Sequence, residues 1–185
     1  MSAQANAIPF GRDRNLLGVG LFIASESLFF LAIVSAYVVF RAQGLATARA
    51  ELDVGRTALF SALLFASSGT MGLAVSRRSR AWLALTAFLG AAFLAGQGLE
   101  YARLLGGGLR PASGLFGTTF FTLTGLHALH VLVGLVLLAT LLTVSTARPR
   151  RLGAAAWDGI AMYWHFVDAV WAVVFSVVYL GTLAG

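Results

Sequence analysis

The stretch LLGVGLFIASESLFFLAIVSAYVVF, Leu16–Phe40, is apolar throughout except for three serines and one carboxylate, Glu26. About 25 residues of helix rise ~37 Å, more than the ~30 Å of bilayer hydrocarbon. It reads as a membrane span with an acid inside it. A second apolar run, Ala161–Leu183, holds Asp168 in the same way. A carboxylate near the bilayer centre costs ~2.5–3.5 kcal/mol on insertion scales, so each of these needs a partner or a task. Glu26, Gln97, Glu100, His127, His130, His165 and Asp168 make up nearly all the polar side chains of the apolar region apart from arginine and the small hydroxyls.

Composition agrees. Of 185 residues, 59% are hydrophobic and 11% charged, with a mean hydropathy of +0.86. Soluble domains carry about 25% charged residues, so the chain is an integral membrane protein. With no cysteine, it has no disulfide framework, thiolate zinc site, iron–sulfur cluster or thiol nucleophile. The formal charge of +6 does not point to nucleic acid, because the arginines fall between apolar runs, where they bind lipid phosphates and set orientation. Met1–Asn15 is polar, and Leu16–Phe40 is too long for the core of a cleavable signal, so it reads as a retained span.

Five spans are expected: about residues 16–40, 57–75, 81–105, 116–144 and 161–183, each close to the ~20 residues a crossing needs. No run alternates as a barrel strand would. The fold class is therefore all-α, a five-helix polytopic bundle treated as one unit over residues 1–185. The connections Ala42–Arg56, Ser76–Arg80, Gly106–Ser113 and Ser145–Gly153 read as short loops. Arg12, Arg14, Arg77, Arg78, Arg80, Arg148, Arg150 and Arg151 fall on one side. Arg41, Arg49, Arg56, Arg103 and Arg110 fall on the other, which puts the N-terminus in the cytoplasm. Small residues are expected at helix contacts, with Gly18, Gly20, Ser67–Gly69, Gly72, Gly90, Gly96, Gly114 and Gly117 supplying them.

Depth arithmetic then pairs the polar groups. Glu26 lies ~15 Å into the first span and His127 ~16 Å into the fourth from the opposite side, with His130 one turn on. Glu26 is expected to meet the His127/His130 pair at mid-membrane. His165 and Asp168 share a face but are placed only ~6–10 Å from the cytoplasmic end. Gln97 and Glu100 sit one turn apart at the outer end of the third span, with Tyr101 and Arg103 suited to an interfacial belt. Trp164, Asp168 and Trp171 form a helical stripe, and the two tryptophans read as packing or interface and lipid anchors, as do Arg77, Arg78 and Arg80 at the interface. His-x-x-His, His-x-x-Asp and Gln-x-x-Glu differ from the Glu and Glu-x-x-His pattern of di-iron bundles, and the unequal depths of His127 and His165 suit a haem sandwich poorly. No metal is expected, and no catalytic residue. A phosphate loop and a nucleophilic triad are both missing; a proton relay through Glu26, His127 and His130 is physically permitted.

Four segments resemble one family. Gly20–Phe30 with its glutamate, Gln97-Gly-Leu-Glu100-Tyr101, Thr124-Gly-Leu-His127-Ala-Leu-His130, and Tyr163-Trp-His165-Phe-Val-Asp168-Ala-Val-Trp171 are similar, in order, to motifs of cytochrome c oxidase subunit III. The resemblance runs from about Leu16 to Gly181. Long members have seven helices; this chain resembles the compact five-helix bacterial form of the haem-copper oxidase subunit. The resemblance implies a multi-pass protein of the bacterial inner membrane in aerobic respiratory electron transport. It implies no redox centre in this chain, with haem and copper in partner subunits. It also implies contact with catalytic subunit I and subunit II, and bound phospholipid. A quinol-oxidase subunit III and an accessory protein of nitric-oxide reductase remain alternatives in the same fold. A standalone proton channel is a reading of a different class, which would give conductance from the purified chain in liposomes.

Overall fold

A computed structural model of the chain describes residues 10–147 and 153–184. Helix α1 runs Phe10–Phe40 and passes through a tight 3-10 turn, Arg41–Gly44, into a short helix α2, Leu45–Glu51. Helices α3 (Val54–Arg77), α4 (Arg80–Gly106), α5 (Gly114–Ala147) and α6 (Ala154–Phe175) follow. A π-helical turn, Ser176–Leu180, carries α6 into a last short helix α7, Gly181–Ala184. No strand occurs among the described residues. Five helical stretches are long and apolar enough to cross a membrane: Leu16–Gly44, Val54–Arg77, Arg80–Gly106, Gly114–Ala147 and Ala154–Leu180.

The expected spans hold, but two boundaries shift with consequence. The last span starts at Ala154, seven residues before the expected Ala161. Ala154, Ala155, Ala156 and Trp157 favour helix and bury a tryptophan, although Asp158 lowers the local hydropathy. Asp168 therefore sits ~21 Å from the start of α6, near mid-membrane rather than close to one end. The connection 42–56 is also not all loop. It holds α2, and Asp53 then starts α3 by accepting a 2.9 Å hydrogen bond from the Arg56 N–H, an N-cap that satisfies one orphan donor. Arg148, Arg150 and Arg151, which entered the orientation argument, lie outside the described residues, as do the side chains of Arg12 and Arg14.

The turn between α3 and α4 is as tight as expected. Arg78 takes the left-handed conformation (φ 46°) that ends a helix, and the Ser79 N–H returns to the Ala74 carbonyl at 3.1 Å. α3 and α4 thus form an antiparallel hairpin. α6 packs on α1, α3 and α5 and carries the two tryptophans of the core.

Trp164 and Trp171 are completely buried, which corrects their assignment to interface and lipid. Their size is matched by glycine opposite. A Cβ on Gly90 or Gly134 would collide with the Trp164 ring, and one on Gly96 would overlap Phe60. The indole N–H groups also need acceptors when buried. Trp164 donates to Ser67 Oγ at 2.9 Å and Trp171 to Ser61 Oγ at 2.8 Å. Each serine in turn donates to a carbonyl of its own helix. By contrast, nothing lies within 4 Å of a Cβ built on Gly18, Gly20, Gly69 or Gly72. Those four glycines make no close approach inside this chain.

Candidate functional site

The mid-membrane polar groups separate into three clusters held by different helices. The first joins α1 to α5. His130 Nε2 lies 3.3 Å from Glu26 Oε2, both side chains being largely buried. The other ring nitrogen, Nδ1, is 2.9 Å from the Leu126 carbonyl one turn back. A carbonyl only accepts, so Nδ1 carries its hydrogen. Nε2 then either accepts from a protonated Glu26 or, as imidazolium, donates to the carboxylate. Either way, one proton occupies the contact. Phe30 covers the ring edge-on at 5.0 Å, and the Tyr163 hydroxyl donates to the His130 carbonyl at 3.1 Å. Glu26 therefore meets His130 as expected.

His127 does not join them. It is fully buried, stacked on Trp171 with ring centroids 4.8 Å apart at 26°, and edge-on to Phe93 at 6.0 Å. Neither of its ring nitrogens has a hydrogen-bond partner among the described residues. Three residues advance a helix by ~300°, which leaves ~60° between His127 and His130. That angle is enough to aim one at α1 and the other at α6 and α4.

The third cluster lies between α3 and α6. His165 Nδ1 is 2.6 Å from Ser68 Oγ, and its side chain is exposed. Asp168 is 5% exposed; Ser68 is its polar neighbour, but neither carboxylate oxygen makes a hydrogen bond of good geometry. His165 and Asp168 thus share Ser68 rather than each other. Sequence reasoning missed Ser61, Ser67 and Ser68 altogether. Their signal was available: serines six or seven apart on α3 face tryptophans seven apart on the antiparallel α6.

At the opposite end of α4, the expected interfacial belt is instead a buried tie. Gln97 and Glu100 are both 5% exposed. Arg103 does not extend to headgroups; it folds back to grip Glu100 through Nε at 3.2 Å and Nη2 at 2.6 Å, and Nη2 also donates to the Glu51 carbonyl. The Asp53 N–H adds a long contact to Glu100 Oε1 at 3.4 Å. Tyr101 hydrogen-bonds Thr124 of α5 at 2.6 Å. This network pins α2 and the start of α3 to α4. Arg49 donates to the Thr182 carbonyl at 3.0 Å, fastening α2 to the C-terminal turn.

Of the basic turn, Arg77 and Arg80 are exposed, in keeping with an interfacial place. Arg78 is tied inward: its guanidinium lies 3.8 Å from Asp158 and 5.5 Å from the Trp157 ring centroid. Asp158, at the start of α6, was not foreseen. No group of three or more His, Cys, Asp or Glu side chains comes together as a metal-binding set among the described residues. His127, His130 and His165 point to three different neighbours.

Fold and site together define a helical membrane protein whose polar side chains join its own spans at mid-depth. A family model described as Cytochrome c oxidase subunit III matches residues 59–182. The chain is 37% identical over 183 residues to cytochrome c oxidase subunit 3 of Synechocystis sp., covering 91% of this chain and 76% of the relative. It is 34% identical over 180 residues to the same-named protein of Corynebacterium diphtheriae, covering 89% and 88%. Similarity to the probable cytochrome c oxidase subunit 3 of Nocardia farcinica is 36% over 180 residues, covering 89% and 88%. The chain belongs to the cytochrome c oxidase subunit III family.

Proposed function

We propose that the chain is a non-redox, stabilising subunit of a proton-pumping terminal oxidase of the cytochrome c type. It packs against the catalytic subunit I and against subunit II in a bacterial cytoplasmic membrane, with its N-terminus inside, retains phospholipid, and supports proton uptake by its neighbour. The names of the relatives favour the cytochrome c type over the quinol type.

The observation that supports this role is how the imidazoles are engaged. His130 is held by Glu26 and its own helix, His127 is sandwiched by Trp171 and Phe93, and His165 is turned to Ser68. No two of them converge on a common centre. Polar groups arranged this way join helices, and an interlocked bundle is what a scaffold subunit needs. Burying hydrogen-bonding side chains without partners costs about 1–3 kcal/mol each, so pairs such as Glu26–His130 also select one packing over others.

Deleting the chain from its host and purifying the remaining oxidase tests the reading. Haem spectra should stay normal while the enzyme inactivates after fewer turnovers and takes up protons more slowly. Unchanged lifetime together with unchanged proton uptake would remove it.

A further inference from the structure

α6 touches α1, α3 and α5, yet a stripe along it stays exposed: Met162, His165, Ala169, Ala172 and Ser176. Beside it on α3 lie Ser68 and the exposed Gly69 and Gly72, whose missing Cβ atoms would meet nothing. On the other flank, an apolar hollow between α1 and α6 opens beside Ala169 and Val173. The exposed faces of α1 and α5 look different. They present Leu21, Leu28, Phe29, Leu129, Leu132 and Val136, bulky side chains suited to lipid tails. The α3–α6 face is smooth, and smooth faces admit a second helix backbone.

Smoothness alone does not say what covers the face; the polar groups on it do. His165 lies ~16 Å from the start of α6 and Ser68 ~14 Å from the Arg77 end of α3, so both sit near the bilayer centre. Ser68 occupies Nδ1 of the imidazole, which leaves Nε2 of an exposed ring for a neighbour. Asp168, buried behind the same serine, has neither oxygen satisfied. Acyl chains offer such groups nothing, whereas a protein helix with a hydrogen-bonding side chain at mid-depth does.

We propose that the α3–α6 face is the surface on which a transmembrane helix of the catalytic subunit lies. The small-residue floor takes the helix backbone, and His165 meets a polar side chain of that helix at mid-membrane. The proposal rests on the oxidase reading above and adds to it which face is used.

The test is site-specific photocrosslinking in native membranes. A near-isosteric diazirine replaces Met162 on the stripe, and a leucine-sized one replaces Val136 on α5. Mass spectrometry should identify peptides of the haem-copper subunit joined to position 162, and lipid joined to position 136. Lipid alone at 162, a second copy of this chain there, or the catalytic subunit captured from 136 instead would overturn the assignment of the face. Whether a tagged wild-type chain brings down a haem-copper oxidase at all is scored separately. Failure there sinks the oxidase reading, while a reversed crosslinking pattern in an intact complex sinks only the choice of face. In detergent, His165→Leu should lower recovered oxidase about tenfold, the equivalent of one lost hydrogen bond of ~1.4 kcal/mol, and His165→Gln should largely retain it. Equal recovery from both variants would contradict the polar contact.

Discussion

Trp171 lies flat against His127, ring centroids 4.8 Å apart, while its indole N–H reaches across to Ser61 on α3 at 2.8 Å. One side chain thus fixes the spacing of α3, α5 and α6 at the level of the bilayer core. Ser61→Ala would leave a buried donor without an acceptor, at a cost of ~1–3 kcal/mol. Trp171→Phe removes the donor as well as ring area. The two changes should therefore be less than additive in a double-mutant cycle, read by thermal unfolding of the purified subunit.

His127 and His130 should respond oppositely to the same substitution. His127 has no hydrogen-bond partner to lose, so His127→Leu, similar in volume and apolar, should change stability by less than ~1 kcal/mol or raise it. His130→Leu leaves Glu26 facing hydrocarbon and should cost ~2–4 kcal/mol. A severe loss from His127→Leu with a mild one from His130→Leu would reverse the assignment.

At Glu26 the comparison is between the amide and the aliphatic residue. Glu26→Gln retains a donor for Nε2 of His130, while Glu26→Leu retains none. If the contact is a fastener, proton pumping and stability should be near normal in Glu26→Gln and impaired in Glu26→Leu. Equal, severe loss of pumping in both would assign Glu26 a titrating role.

Glycine substitutions separate inner from outer surfaces. Gly90→Ala places a methyl against Trp164 with 2.5 Å to the nearest ring atom, an overpacking expected to cost ~1–3 kcal/mol. Gly69→Ala and Gly72→Ala meet open space in this chain and should leave the stability of the isolated subunit unchanged, or slightly higher through helix propensity.

Arg103 should matter more than its place at a helix end suggests. Glu100 is almost wholly buried and Arg103 about one-third exposed, so Arg103→Leu strands a carboxylate and should cost ~1–4 kcal/mol, between surface and buried pairs. Arg103→Lys should recover only part, since an ammonium cannot reproduce the forked grip on Glu100 with the added bond to the Glu51 carbonyl. Limited proteolysis near α2 would report the loosening.

Span number and the Glu26–His130 contact were legible because hydropathy and helical rise are nearly independent of tertiary detail. The depth of Asp168 was not, because Asp158 masks the amphipathic first turns of α6 and shifts the apparent start of the span by seven residues. The partners of His127 and His165 were hidden for another reason: which way a side chain turns within a ~60° arc depends on the neighbouring helix, and spacing along one helix does not contain it. Arg103 was misplaced because snorkelling to a headgroup and folding back to a carboxylate are both open to a long side chain, and only the position of α2 decides between them. The glycines divided along the same line. Gly90 and Gly96 face aromatic rings, while Gly69 and Gly72, identical in sequence terms, face outward.

The central claim is that the mid-membrane carboxylates and imidazoles fasten helices and dock a neighbour rather than carry electrons. Its most direct test is the visible spectrum and metal content of this chain purified away from other subunits in mild detergent. A colourless, folded protein without stoichiometric iron or copper is predicted. A Soret band, or one metal ion per chain lost on mutation of His127, His130 or His165, would contradict it.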